Sequence, residues 1–476
     1  MNRRVIKWMS LAAVLVAVAS IVCVGIRNES LNPYGYDVRA DYRYDFSENV
    51  ASTAVKIDKD SFTLPEISSG CDTAVLRIRV KATLSGEILA PYVEMENADA
   101  SNRQYFERGV RGVRYINISS FLGNHPKADS RIILRCHGMA LDAKEGILYL
   151  FSNPKPETVR ILLVSPHPDD AEIAAFGLYS HRDAHIVTIT AGEGGMDTYE
   201  HFLEHEDAQS RRLIKGRLRV LDSVFTPLIG GIEPERSVNL GYFDGTLNEM
   251  HAFPAKEAVS RHVRTGDITV FRKYAAPLAA EPPSSRWQSL VADLKQIVST
   301  TEPDIVVSPH PLLDTHPDHQ YATLAVFEAI QSLRLKNLRF YLYVNHIQSD
   351  RAYPFGPPQS ITSLPPAFDP VQVSGLYSFN LTAREATEKK LALEAMHGLR
   401  SPDDWAVTDL QGLVRVWGKS LKSYVAAKLG YGYSYSRRAL KANELFFVCN
   451  YADAGALKEE FLRKATVDKV KPSPGE

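Results

Sequence analysis

One stretch constrains the fold more than any other: Val159-Arg160-Ile161-Leu162-Leu163-Val164-Ser165-Pro166-His167-Pro168-Asp169-Asp170-Ala171-Glu172. The apolar run Ile161 to Val164 reads as a buried strand. It stops at a Pro-rich turn that carries one imidazole and two adjacent carboxylates. Ala171 to Ser180 is mostly small and apolar and reads as a short helix. The polar cluster therefore sits where a strand ends and a helix begins. In open α/β sheets that carboxyl edge is where ligands bind.

A second stretch repeats the pattern. Ile305-Val306-Val307-Ser308 runs into Pro309-His310-Pro311-Leu312-Leu313-Asp314-Thr315-His316-Pro317-Asp318-His319, and a helical run follows from Gln320 to about Leu333. Two strand ends of one parallel sheet bring such loops together. This arrangement puts His167, Asp169, Asp170, His316 and His319 in one pocket. Zinc accepts neutral imidazole nitrogen and carboxylate oxygen, and a catalytic site keeps three protein ligands and an open position. Two histidines and one aspartate make such a set. Adjacent aspartates divide the labour, one on the metal and one as base toward a water.

His167-Pro168-Asp169-Asp170 followed by His316-Pro317-Asp318-His319 resembles the PIG-L/LmbE-like family of zinc-dependent N-acetylglucosaminyl deacetylases. Thr190-Ala191-Gly192-Glu193-Gly194-Gly195 resembles the family's Gly-Glu loop, and Leu240-Gly241-Tyr242-Phe243-Asp244-Gly245 its later Asp-Gly loop. The resemblance spans roughly Val159 to Tyr451. It implies that His167, Asp170 and His319 are the metal ligands and that Asp169 is the general base. It makes His316 the electrophilic or acid partner at the amide. Asp244 and Arg211 fall where the family contacts the sugar, although Arg212 competes with Arg211 in the run Gln209-Ser210-Arg211-Arg212. The cofactor implied is Zn2+, with another divalent metal such as iron or manganese compatible with the same ligands.

At 476 residues with 45% hydrophobic content the chain has enough apolar mass for two cores. A net charge of −1 gives no bulk electrostatic case for nucleic acid, so none is expected as a partner. Arg3, Arg4 and Lys7 precede an apolar run from Trp8 to Ile26. That run is just long enough to cross a bilayer, and its basic flank should stay cytoplasmic. Ala17-Val18-Ala19 before Ser20 offers the competing reading, a cleaved signal peptide. Both readings export the rest of the chain. They point to a single N-terminal membrane anchor or a secreted protein, acting on a surface, secreted or cell-wall glycan or a glycolipid. Four cysteines are too few for a disulfide framework. Cys71 and Cys136 are either a pair or two buried thiols.

From Asp45 to Asn153 short alternating segments such as Ala74 to Ala82 predict an antiparallel, sandwich-like domain, in which Tyr105, Phe106 and Tyr115 either stack on sugars or fill the core. Asn153-Pro154-Lys155-Pro156 reads as an extended link. The organisation expected is an anchor or signal (1–27), a linker (28–44), a β-sandwich-like accessory domain (45–153), a deacetylase domain (157–455) and a disordered tail (465–476). The fold class expected is α/β: a Rossmann-like, three-layer, mostly parallel sheet, preceded by the small all-β domain and the transmembrane segment. Arg286 to Thr300 predicts an amphipathic helix with Trp287, Leu290, Leu294, Ile297 and Val298 on one face. Tyr431-Gly432-Tyr433-Ser434-Tyr435 is either a substrate-facing loop or a solvated connector. The function expected is removal of an N-acetyl group from an N-acetylglucosamine-type sugar. The alternatives are a tethered glycan-binding protein with an inactive hydrolase-like domain and an amidohydrolase for a non-sugar substrate.

Overall fold

The computed structural model describes residues 33–68, 70–123, 130–195, 203, 205–272, 283–399, 421, 423–429 and 433–470. Its centre is a seven-stranded sheet in the order Ser237–Tyr242, Ala184–Thr190, Ile161–Ser165, Ile305–Pro309, Arg339–Tyr343, Asn443–Asn450, Leu376–Asn380. The first five are mutually parallel. Ile161–Ser165 and Ile305–Pro309 are buried along their whole length, as strands covered on both faces must be. Leu162, Val164, Val306 and Leu342 pack toward helices Trp287–Thr301 and Pro317–Leu333. Ile161, Leu163, Ile305 and Val307 face helix Asp170–Tyr179. The chain order reverses between Ile161–Ser165 and Ile305–Pro309, which are neighbours. Their carboxyl ends flank the switch point, where a crevice forms because successive connections leave in opposite directions.

Helix Asp170–Tyr179 is broken at Ala175, whose φ is −145°. The carboxylate of Glu444 fills the break: it accepts from the N–H groups of Gly177 and Leu178, both at 2.9 Å. Lys389 neutralises it at 2.7 Å and also donates to Ile173 O at 2.9 Å. A buried ion pair thus replaces the missing helical hydrogen bonds behind the His167–Asp170 loop.

The N-terminal region holds two antiparallel sheets. One has Ala51–Lys56, Glu145–Phe151, Thr73–Ala82 and Arg111–Asn117 in order, with Met139–Leu141 also on Thr73–Ala82. The other has Ser61–Thr63, Arg131–His137, Tyr92–Glu96 and Ser101–Tyr105. Leu76, Ile78, Val80, Val93, Met95, Ile132 and Leu134 fill the space between them. Phe106 and Tyr115 are core residues, while Tyr105 stacks on Tyr92 at 4.8 Å. Cys71 and Cys136 are both free thiols. This region does not stand apart from the large sheet. Tyr44–Phe46 pairs in parallel with Val371–Val373. Tyr44, Val113, Tyr115 and Phe151 belong to the same apolar core as Leu376 and Phe447. Asn117 is buried, and its amide donates to Thr362 O and Ser378 Oγ, both at 2.9 Å.

Two expectations are corrected. The chain is mixed α/β, and antiparallel pairs outnumber parallel ones among the described strands; it is not a mostly parallel three-layer fold with a small sandwich in front. In the N-terminal region every pairing within the two sheets is antiparallel, and among these pairs only Tyr92–Glu96 and Ser101–Tyr105 are successive strands joined by a short turn. In the large sheet one strand, Asn443–Asn450, is reversed and makes both its pairings antiparallel. The preceding helix, Tyr435–Ala439, lies at the carboxyl edge, so the chain enters that strand from the edge and runs down it. The membrane anchor is the second correction. No described helix is long and apolar enough to cross a membrane. The longest, Tyr451–Val470, carries Asp453, Lys458, Glu459, Glu460, Arg463 and Lys464. It also runs past the expected start of the tail at 465. The expected span Trp8–Ile26 lies outside the described residues, so the membrane-anchored localisation has no structural support and is not retained.

Candidate active site and metal centre

The strand Ile161–Ser165 delivers His167 to Asp170 to the carboxyl edge. The turn is held by Ser165 Oγ donating to His167 O at 2.6 Å and by Thr190, whose N–H and hydroxyl both donate to Pro166 O at 3.0 and 2.8 Å. Neither aspartate serves as a helix cap. Asp169 occupies the N-cap position without a side-chain cap bond. Asp170 Oδ2 instead accepts the His167 N–H at 2.9 Å. On the neighbouring loop the ring Nδ1 of His310 accepts from Leu312 and Leu313 N–H at 3.2 and 3.3 Å, a structural use of that histidine. Helix Pro317–Leu333 then starts with Pro at its first position, where no N–H is needed, and carries His319 in its first turn.

Three ligand-type atoms converge. His167 Nδ1 lies 3.2 Å from Asp170 Oδ2 and 3.2 Å from His319 Nε2, and His319 Nε2 lies 3.1 Å from Asp170 Oδ2. Tetrahedral sites with metal–ligand bonds of ~2.0–2.1 Å have ligand edges of ~3.3 Å, so the triangle has the size a zinc-type ion requires. The remaining ring nitrogens are backed by carboxylates. His319 Nδ1 donates to Asp314 Oδ2 at 3.0 Å. His167 Nε2 is 3.3 Å from both Asp318 Oδ2 and Asp244 Oδ1. A carboxylate on the far nitrogen is the usual partner of a metal-bound histidine, because it fixes the tautomer and strengthens the donor. Burial alone would lower both imidazoles. The carboxylates outweigh it: Asp244, Asp170 and Asp318 raise His167 well above the usual range, and Asp170 with Asp314 takes His319 up to about 9. The cluster is thus electrostatically built for positive charge. His316 and His346 widen it, since His167, His316 and His319, and separately Asp170, His319 and His346, each bring ligand atoms within 4.8 Å of one another.

Asp169 is half-buried beside the triangle, and its Oδ1 lies 3.0 Å from Arg219 Nη2. Burial raises its carboxyl above the usual range, and Arg219 pulls it back. Arg219 also donates to Gly192 O at 3.0 Å. It belongs to one face of helix Ala208–Phe225: Arg212 reaches the Gly194 and Gly195 carbonyls, and Lys215 the Gly194 carbonyl. Gly192 must be glycine there: its φ is +64°, and a Cβ would stand 2.8 Å from Pro168 Cδ and 2.7 Å from the Arg219 guanidinium. Glu193 is fully buried, accepting from Ser260 Oγ at 2.7 Å and from Asp244 N at 3.1 Å. Burial, reinforced by Asp244, lifts its carboxyl to about 7. Asp244 Oδ2 accepts from Gly194 N at 3.1 Å. Burial would raise this carboxyl, but His167 and Arg219 hold it well below the usual range.

His167, Asp169, Asp170, His316, His319 and Asp244 are therefore together. Arg211 Nη1 donates to Glu206 O at 2.7 Å, and the arginine that meets Asp169 is Arg219. A periodicity of Arg212, Lys215 and Arg219 carried the signal. Sequence reading also passed over Asp314, which sits in the quoted second cluster, and Asn345 and His346, which follow the strand Arg339–Tyr343 at the same carboxyl edge. Tyr435, from the aromatic run, stacks on His346 with ring centroids 5.1 Å apart and an 11° tilt. Burial, together with the positive charge of His319, takes His346 down to about 3.

Residues 162–330 match the PIG-L family model, described as GlcNAc-PI de-N-acetylase. All the site residues from His167 to His319 lie inside the PIG-L match, and Asn345, His346 and Tyr435 lie beyond it. No curated protein matches the chain. Among solved structures, the A40926 pseudoaglycone deacetylase Dbv21 is 18% identical, covers 61% of this chain and 98% of its own, and has a TM-score of 0.30. The zinc-inhibited form of the teicoplanin deacetylase Orf2 is 15% identical, with 61% and 98% coverage and a TM-score of 0.31. GalB, a 4-carboxy-2-hydroxymuconate hydratase from Pseudomonas putida KT2440, is 15% identical, with 60% and 95% coverage and a TM-score of 0.30.

Proposed function

We propose that this chain is a metal-dependent hydrolase that removes the N-acetyl group from an N-acetylglucosamine-type amino sugar, giving acetate and the free amine. One observation carries the reading: the convergence of His167 Nδ1, Asp170 Oδ2 and His319 Nε2 within 3.1–3.2 Å, with Asp169 and Arg219 alongside. The description of the matching PIG-L family as a de-N-acetylase supports the reaction class. His167, Asp170 and His319 would hold a divalent metal, zinc foremost, which when bound supplies Lewis acidity toward a water and an acyl oxygen.

The protein's own groups do the rest. Asp169 accepts the proton of the attacking water; its raised carboxyl is a better base than a free aspartate, and Arg219 aims it. His316 stands beside the cluster, with its ring centroid 4.8 Å from that of His167. Burial and the adjacent imidazoles keep it below the usual histidine range. A neutral imidazole serves better as a hydrogen-bond donor to the developing oxyanion than as a strong acid. His316 Nδ1 is buried and has no hydrogen-bond partner among the described residues.

The experiment is acetate release from a panel of N-acetylglucosamine compounds by the full chain, with bound metal quantified, beside Asp169→Asn. The expected result is release by the wild type and its near-complete loss, about 100-fold or more, in a variant that keeps its metal. Hydrolysis of non-sugar amides in preference to every sugar would overturn the substrate class. A folded, metal-loaded wild type that hydrolyses no amide would overturn the hydrolase reading itself.

A further inference from the structure

The two oxygens of Asp170 have different surroundings. Oδ2 faces the cluster, 3.2 Å from His167 Nδ1 and 3.1 Å from His319 Nε2. Oδ1 turns the other way and accepts the side-chain amide of Asn345 at 2.8 Å. The same Nδ2 also approaches Asp170 O at 3.4 Å, so both its neighbours are acceptors and the NH2 end of the amide must face Asp170. Asn345 is itself buried and fixed, its N–H donating to Asp314 Oδ2 at 2.8 Å. Asp314 accepts three further bonds: from His319 Nδ1 at 3.0 Å, His346 N at 3.1 Å and His316 N at 3.1 Å. One buried carboxylate therefore sets His319 directly and Asp170 through Asn345.

We propose that Asn345 is a positioning residue that keeps Asp170 on the metal through one oxygen only. The inference rests on the metal-site reading above. A carboxylate free at both oxygens can take two coordination positions. A donor fixed on Oδ1 withdraws that oxygen and leaves a position open for water and acyl oxygen, which a catalytic site needs and a structural site lacks. The donor is an amide and therefore adds no positive charge against the bound cation, as a lysine or arginine would. The loop that carries Asn345 is anchored from behind. Gly35 N donates to Ser349 O at 2.6 Å, Arg351 N to Pro33 O at 3.0 Å, and the Tyr36 hydroxyl to Asp350 Oδ2 at 2.6 Å. Asn345 lies outside the PIG-L match, so this control of the carboxylate ligand comes from the C-terminal part of the chain and the N-terminal strap that clamps it.

The test uses the full chain stripped of metal and reloaded with Co2+ or Zn2+, as wild type and as Asn345→Ala. Chelator competition gives affinity and stoichiometry, and the visible absorption of the Co2+ form reports coordination number, four-coordinate sites absorbing far more strongly than six-coordinate ones. The expected result is one metal per chain in both. In Asn345→Ala the affinity falls by about 10- to 100-fold, and the Co2+ bands weaken as Asp170 takes up a second position. A variant that binds with wild-type affinity and an unchanged spectrum overturns the inference. So does a crystal structure of the zinc-loaded wild type with Asp170 bound through both oxygens, a measurement that does not depend on the variant folding. A wild type that binds no metal overturns the metal-site reading along with it, whereas the other two results overturn the positioning role alone.

Discussion

The clamp behind the site makes a quantitative prediction at Asp350. This carboxylate is 5% exposed. Its Oδ2 accepts the Tyr36 hydroxyl at 2.6 Å, and its Oδ1 accepts the N–H groups of Ala352 and Tyr353 at 2.7 and 3.0 Å. Burial, the leading cause, pushes its carboxyl from 3.8 up to about 7, and Glu107 adds to the rise. A carboxyl raised in the folded state binds its proton more tightly there than in the unfolded chain. Its stabilising contribution is complete below about pH 4 and is lost as pH rises through about 7. A difference of ~3 pH units at ~1.36 kcal/mol each makes the full swing roughly 4 kcal/mol, of which about 3 kcal/mol falls between pH 5 and 8.5. Asp350→Asn removes the titration and keeps the bonds: its Oδ1 still accepts both backbone N–H groups, and its Nδ2 donates to the Tyr36 oxygen. The assay is urea unfolding of both proteins at pH 5 and 8.5. Other raised carboxyls, Glu172 at about 8 and Glu193 at about 7, slope both profiles equally, so the difference between the two proteins isolates Asp350. The wild type should lose about 3 kcal/mol more than the variant over that interval. Parallel profiles would refute the reasoning, because they would mean that the carboxylate is already ionised in the folded protein at pH 5.

Two further outcomes are expected. Arg219→Met should leave metal stoichiometry unchanged but lower kcat/KM by about 10- to 100-fold, the worth of a charge-assisted hydrogen bond. The acid limb of its pH–rate profile should move to higher pH, since Asp169 loses the cation that opposes its burial; steady-state kinetics from pH 5 to 9 check both. Glu444→Gln leaves Lys389 buried without its counter-charge and weakens the splice in helix Asp170–Tyr179. It should cost about 3–5 kcal/mol in denaturant unfolding, and a loss under 1 kcal/mol would mean that the pair is not what holds the broken helix.

Much of the site was legible because metal chemistry restricts residue types and the strand–loop–helix pattern restricts where they go. Trp287, Leu290, Leu294, Ile297 and Val298 are likewise the buried residues of their helix, as their spacing predicts. Arg211 shows the limit. The residues that reach the site, Arg212, Lys215 and Arg219, lie about 100°, 40° and 80° around the helix from it, at about 100° per residue. Which face turns inward depends on what packs against the helix, and local sequence does not encode that. Asn345 and His346 carry no spacing signature at all. They matter because the strand that ends before them lies next to Ile305–Pro309 in the sheet.

The sequence by itself determined the chemistry available: one imidazole beside an aspartate pair, and a second loop of His and Asp, each at the end of a buried strand. Those are local facts, set by residue type and by the period of the hydrophobic pattern. Only the tertiary structure decided that Asp314 holds His319 and Asn345 holds Asp170, that Arg219 meets Asp169, and that the last strand runs backwards. It also decided that the N-terminal strands share a core with the large sheet. These depend on contacts between residues far apart in the chain, where burial makes an unpaired polar group costly and so selects the partner that space provides.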